Sequence, residues 1–234
     1  MERKTPFLVG ETYHAYTRGV EKRIVFEDRK DYQRMQLLLY LCNSDKSVHM
    51  QNLFTKHKGE PLIKMFEEKR SETLVEVIAY SLMPNHIHLL LKEKIEGGIS
   101  RFMLKLMTAY SMYFNTKHER SGPLFTRPFR SRHVGSDEYL QWLFAYILLN
   151  PLDIHQKNWK EQGLKDKRAA QVFLREYRYG SFSDLARERP ESGILSTGDF
   201  NLDTMKDFDD LFKACEEVNT IPRGTLGRGM SAIC

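Results

Sequence analysis

Cysteine is scarce in this chain, with three in 234 residues, at Cys42, Cys215 and Cys234. They are too few and too scattered for a disulfide framework or a cysteine-based zinc site. No apolar run reaches the roughly 18 residues that a membrane-spanning helix needs. The first residues, Met1 to Gly10, are charged and then short and mixed, which argues against a signal peptide. These absences predict a protein of a reducing cytoplasm with no membrane contact. The pattern Gly-x-x-x-x-Gly-Lys-Ser/Thr is also missing, so no ATP is expected. Acid is missing locally. Arg101, Lys105, Lys117, Arg120, Arg127, Arg130 and Arg132 stand against the single acid Glu119. After Arg187 the balance reverses, with Glu188, Glu191, Asp199, Asp203, Asp207, Asp209, Asp210, Glu216 and Glu217. The net charge of +5 and pI of about 9.0 are weaker guides than this distribution. A basic middle is suited to phosphate, and the acidic tail is not.

What is present begins with Met83-Pro84-Asn85-His86-Ile87-His88-Leu89-Leu90-Leu91. Leu74 to Met83 reads as a buried strand, Pro84-Asn85 as a turn, and His86 to Lys92 as the returning antiparallel partner. Positions i and i+2 of a strand share a face, about 7 Å apart. His86 and His88 can therefore reach one ion while Ile87 points into a core. Tyr13 to Val25 reads as a strand, a turn at Arg18-Gly19 and a second short extended piece. Asp28 is a plausible cap for a helix to Cys42, and Gly97-Gly98 precedes a helix from Ile99 to His118. Leu124 to Val134 is basic and partly extended. Ser136 begins a helix over Asp137–Leu149 that Asn150-Pro151 stops.

This order of elements predicts an α+β chain, a ferredoxin-like antiparallel sheet with helices packed on one face. Residues 1–189 would form the main domain, with 43–72 a polar insertion or mobile loop. Residues 190–234 would be an acidic C-terminal extension, partly disordered. In it Phe208, Leu211, Phe212 and Cys215 could make one last helix, and Thr220 to Cys234 reads as loose.

Tyr146 and Asn150 are four apart and share one helix face. Packed toward His86 and His88, that face would join two imidazoles, an amide oxygen and a phenol. Such a set suits phosphodiester chemistry, with a metal polarising the phosphate and a phenolate attacking phosphorus. Bland readings compete at each position. His86 and His88 could be hydrogen-bonded strand residues, Tyr146 a packing aromatic, and Asn150 an ordinary helix end. Tyr110 and Tyr113 are rival nucleophiles. Zinc stays open if folding brings in His118 or His133. Arg127, Arg130 and Arg132, interleaved with Phe125 and Phe129, suit single-stranded DNA, with cations on the backbone and aromatics on the bases. Arg18 and Lys105 are further candidates.

The chain resembles the single-tyrosine HUH transposases, in the branch of REP-associated tyrosine transposases. The resemblance rests on Tyr13-His14 with Arg18-Gly19, Met83-Pro84-Asn85-His86-Ile87-His88, Tyr113-Phe114-Asn115, Gly122-Pro123-Leu124-Phe125, Phe129-Arg130-Ser131 and Tyr146 to Pro151. It implies that His86, His88 and Asn150 bind Mg²⁺ or Mn²⁺ and that Tyr146 is the nucleophile. It also implies a 5′-phosphotyrosine intermediate on hairpin-bearing single-stranded DNA, made by a monomer or homodimer. The chain departs from the pattern at Thr126, where the family often has Gln, at Pro128 in the basic loop, in the long polar insertion and in the acidic tail.

Overall fold

The computed structural model describes residues 6–47, 49–186, 190–196 and 208–219. Strands β1 (Thr12–Arg18), β2 (Val75–Met83), β3 (His86–Glu93) and β4 (Arg130–His133) form one antiparallel sheet in the order β2-β3-β1-β4. Helices α1 (Arg29–Leu41), α2 (Met50–Lys56), α3 (Gly98–Lys117) and α4 (Asp137–Leu149) are followed by α5 (Leu152–His155), α6 (Trp159–Gln162), α7 (Lys167–Glu176), α8 (Ser181–Ala186) and α9 (Phe208–Asn219). The architecture is the α+β, ferredoxin-like one that the element order predicts. No helix among the described residues is long and apolar enough to cross a membrane.

Buried carboxylates set the two helices that cross one face. Asp28 caps α1 by accepting from Asp31 N at 3.1 Å, and the Asp31 carboxylate accepts from Glu27 N at 2.8 Å. Asp31 also receives Lys117 Nζ at 2.7 Å and Tyr113 Oη at 2.9 Å, so the start of α1 is tied to the end of α3. Glu93, fully buried at the end of β3, accepts from Gly98 N and Ile99 N at 3.0 and 2.6 Å. Its charge satisfies the first amides of α3 and opposes that helix's positive end. Position 98 must be glycine, because a Cβ there would lie 2.2 Å from Leu74 O.

Helices cover both faces of the sheet rather than the one expected. Ile87, Leu89 and Leu91 of β3 join the cluster under α1 and α3, while Leu90 joins a second cluster under α4. The reason is legible in β3 itself, which is apolar at both alternations and so needs cover on both sides. Strand β2 keeps step by a bulge between Val77 and Ala79. The extra residue, Ile78, shifts the alternation. Val77 and Tyr80 thus face the first cluster, whereas Ile78 and Ala79 face α4.

Three further expectations change. The second extended piece after Gly19 is a 3-10 turn, Val20–Lys22, with Glu21 and Lys22 at positive φ. It folds back tightly enough for Val25 N to donate to Pro84 O at 2.8 Å. The 43–72 insertion is packed, with Met65 fully buried and Leu53 and Phe54 of α2 against the core. The supposed division at residue 190 is crossed twice. Ile194 is buried in the first cluster, and Phe208, Leu211, Phe212 and Cys215 of α9 are buried along α4. Apolar burial at helical spacing outweighs the acidic composition of α9. The stretch from Thr220 to Cys234 lies outside the described residues.

Candidate active site

Antiparallel register builds a grid on the α4 face. His86 lies opposite Arg18, His88 opposite Tyr16, and Leu90 opposite His14. One strand further, Tyr16 lies opposite Arg130 and His14 opposite Arg132. Directly opposed residues of a sheet share a face. Both histidines and Arg18, Arg130 and Arg132 therefore stand on one surface. Arg127, Pro128 and Phe129 close a cleft of about 410 Å³ against Arg18, His86 and His88.

Helix α4 lays its own face over this grid. Ser136 caps it by accepting from Tyr139 N at 3.2 Å, and Pro151 follows Asn150 at its end. The Tyr146 ring stands edge-on to His88, with centroids 5.6 Å apart and planes at 88°. Trp142 stacks on Tyr146 from the preceding turn at 5.3 Å. The His86 and His88 rings are 4.9 Å apart, also edge-on. All four expected residues thus meet within one chain, and Tyr146, His88 and Asn150 are buried.

A third histidine joins them that the sequence reading placed only in the opening strand. His14 Nε2 and His88 Nδ1 lie 2.9 Å apart in a buried hydrogen bond. Its signal was the alternation in Tyr13-His14-Ala15-Tyr16, which puts His14 and Tyr16 on one face. Only the register with β3 shows that this face is the site's. His86 is held by Asn85, with Nδ1 2.6 Å from Asn85 Oδ1.

Burial keeps all three imidazoles neutral. Desolvation, aided by the charge of Arg132, takes His14 down to about 3. Desolvation and then Arg18 take His86 down to about 4, against an upward pull from the Asp153 charge. His88 falls well below its ordinary value through desolvation, with His14, His86, Lys160 and Arg18 adding to it. Neutral imidazole is the form that ligates a metal.

The donor set fits a divalent cation. His88 Nε2 and Asn150 Oδ1 are buried and make no hydrogen bond among the described residues. A bare buried acceptor costs roughly 1–3 kcal/mol, and a cation would satisfy both atoms. No group of three or more His, Cys, Asp or Glu residues suited to a metal occurs among the described residues. The set here has an amide as its third donor. The extra zinc ligands do not arrive. His118 lies 3.8 Å from Glu27, and His133 Nε2 lies 2.5 Å from Glu11.

Other candidates stand elsewhere. Lys105 belongs to α3 on the opposite face and donates to Ser44 O and Lys46 O at 2.5 and 2.8 Å. Tyr110 Oη donates to Val25 O at 2.5 Å and Tyr113 to Asp31, so both rival tyrosines serve the α1/α3 core. Desolvation holds both phenols above their usual range, Tyr113 at about 12. Phe125 is buried in that core beside Tyr110 and offers no face to a base. Phe129 lines the cleft with its ring parallel to Phe7 at 6.4 Å. The sequence reading missed Lys160 and Asp153, which meet at 2.9 Å beside Tyr146.

Residues 46–150 match the family described as "Transposase IS200 like". That matched span runs from the polar segment after α1 through Asn150 and contains His86, His88, Tyr146 and Asn150. A solved structure described as "Structure of the REP associates tyrosine transposase bound to a REP hairpin" is also similar. It shares 12% identity at a TM-score of 0.45, over 80% of this chain and 86% of that one. No curated protein sequence matches the chain.

Proposed function

We propose that this protein is a transposase that cleaves and rejoins single-stranded DNA through a covalent 5′-phosphotyrosine on Tyr146, acting on hairpin-bearing ends. The observation that carries the reading is the packing of Tyr146 against His88, beside the unsatisfied atoms His88 Nε2 and Asn150 Oδ1. Mg²⁺ or Mn²⁺ would be held by His86, His88 and Asn150, and when bound would polarise the scissile phosphate. The chain's own residues do the rest. His14 and Asn85 hold the Nδ1 atoms of His88 and His86, which leaves the Nε2 lone pairs for ligation. Arg18, Arg127, Arg130 and Arg132 bind the phosphate backbone along the cleft. The Arg132 guanidinium also lies over Tyr139, 4.9 Å from the ring centre.

Tyr146 Oη forms a bond to phosphorus, the bond from phosphorus to the 3′-oxygen breaks, and a free 3′-hydroxyl leaves. The phosphotyrosine conserves the bond energy, so rejoining needs no ATP. The packing of Tyr146 on His88 of the same chain supports attack in cis.

The test is a covalent-adduct assay. Protein is mixed with Mg²⁺ or Mn²⁺ and labelled oligonucleotides carrying hairpins from the flanks of its own gene, then run on a denaturing gel. A shifted band that requires metal, Tyr146 and His86 is expected. Tight, metal-independent binding with no adduct would instead make the protein a nucleic-acid-binding module.

A further inference from the structure

Lys160 lies beyond the stretch that matches the transposase family, yet it reaches the heart of the site. Its ammonium sits 4.7 Å from the centre of the Tyr146 ring and 5.7 Å from that of Trp159. The side chain is only 14% exposed, and Asp153 Oδ2 holds Nζ at 2.9 Å. The geometry explains how the chain places it there. Pro151 ends α4, α5 reverses the direction, and Asn158 adopts a left-handed conformation at φ 59° that starts α6. Trp159 buries itself against Phe212 of α9, centroids 5.9 Å apart, and so anchors the turn that carries Lys160.

A lysine at this depth is costly to dehydrate, and one partly exposed carboxylate compensates it. A packing role alone would be served better by an apolar side chain. An ammonium over a phenol ring gains from cation–π attraction, and it gains far more when the ring carries a phenolate.

We infer that Lys160 is a positioning residue acting through Tyr146, its cation favouring the phenolate that attacks phosphorus and that leaves when the strands are rejoined. The inference rests on the proposed phosphotyrosine chemistry. In the forward step the phenol proton passes to water, the Oη–P bond forms, the P–O3′ bond breaks and the 3′-oxygen takes up a proton. In the reverse step the phenolate is the leaving group. Negative charge sits on Tyr146 in both directions, so one fixed cation assists both.

The experiment compares Lys160→Met, Lys160→Arg and Asp153→Asn in single-turnover adduct formation, alongside oligonucleotide affinity and thermal midpoint. Lys160→Met is expected to slow the adduct about tenfold to a hundredfold with affinity unchanged. Lys160→Arg should recover most of the rate, because the cation is kept. Asp153→Asn should slow the adduct less than Lys160→Met does, because it releases the ammonium from its holder but keeps the charge beside Tyr146. Equal losses in all three variants, tracking the thermal midpoint, would make the pair a packing device and overturn the inference. A Lys160→Met enzyme with wild-type rate would do the same while leaving the phosphotyrosine reading intact. A wild-type protein that forms no adduct would sink that reading, and this inference with it.

Discussion

His86, Ile87 and His88 are consecutive, yet they belong to two different environments. Ile87 enters a face sealed by α1 and α3, where apolar side chains meet and the buried charges Asp31 and Glu93 are fully partnered. The histidines enter the face under α4, where imidazoles crowd together and, among the described residues, buried His88 Nε2 and Asn150 Oδ1 have no hydrogen-bond partner. One side of the strand is packed for stability, and the other gathers the polar groups that the proposed chemistry would use. Unsatisfied groups in an otherwise well-satisfied fold gather where ligands bind.

The sharpest way to separate the two faces is a pair of substitutions. Tyr146→Phe should abolish the adduct, by about a thousandfold or more, while urea denaturation changes little. Ile87→Ala should cost about 2–5 kcal/mol of stability, yet each folded molecule should keep its chemistry. If Ile87→Ala alone removed activity at full folding, the two faces would not be separable.

His14→Ala comes next. It touches neither the expected cation nor the nucleophile, but it should weaken Mn²⁺ binding by about 10–100-fold. Electron paramagnetic resonance titration would measure this, and unchanged affinity would reduce His14 to a core residue.

Acid should expose the contrast in a third way. Unfolded histidine titrates near about 6.5, whereas His14 and His86 are held at about 3 and about 4. Below the unfolded value the unfolded chain binds protons that these folded sites refuse. Their contribution is therefore full above that value and is lost as pH falls toward 4 and 3. The surface shows the opposite sign. His57, held by Glu60 at 2.7 Å and Glu68 at 2.6 Å, is raised first by the Glu60 hydrogen bond and then by Glu68. Its contribution is present below the unfolded value and lost as pH rises through the folded one. Denaturation midpoints should drop between pH 7 and 4, less steeply in His14→Gln. Hydrogen-exchange protection factors near α2, corrected for the intrinsic rate, should fall as pH rises above the unfolded value, and a flat profile at either place would refute the corresponding half.

The smallest effect belongs to the edge strand. Arg130→Ala should weaken oligonucleotide binding a few-fold and flatten the salt dependence by about one unit of slope. Lys105→Ala, on the sealed face, should leave both unchanged, and fluorescence anisotropy over a salt series would tell them apart.

Much of this was legible in the sequence, and the pattern of successes is physical. The β2/β3 hairpin, the span of α4 and the alternation of His86 and His88 are local properties, set by periods, caps and turns. So was the shared face of Tyr146 and Asn150. What could not be read depends on register and long-range docking. His14 reaches His88 only because β1 pairs with β3 where it does. The second covered face requires α4 and α9 to fold back over the sheet, and the bulge at Ile78 resets an alternation that looks regular in sequence. Lys105 lies away from the cleft, which a charge count could not show, because it says nothing about which face of a helix a residue occupies. Lys160 was invisible because nothing in a Trp-Lys-Glu-Gln stretch reveals that it will cover Tyr146, fourteen residues earlier.

Helix α9 sets a schedule as well as a contact. A ribosome delivers this chain N-terminus first, so α4 exists for a time before the segment that covers it has been made. Until Phe208, Leu211 and Phe212 emerge, the apolar flank of the helix that carries Tyr146 faces water or a chaperone. A chain interrupted before residue 208 would have the candidate site but expose that flank, and its expected fate is aggregation or degradation. Translation to the far end of α9 is thus a condition for a folded chain that persists.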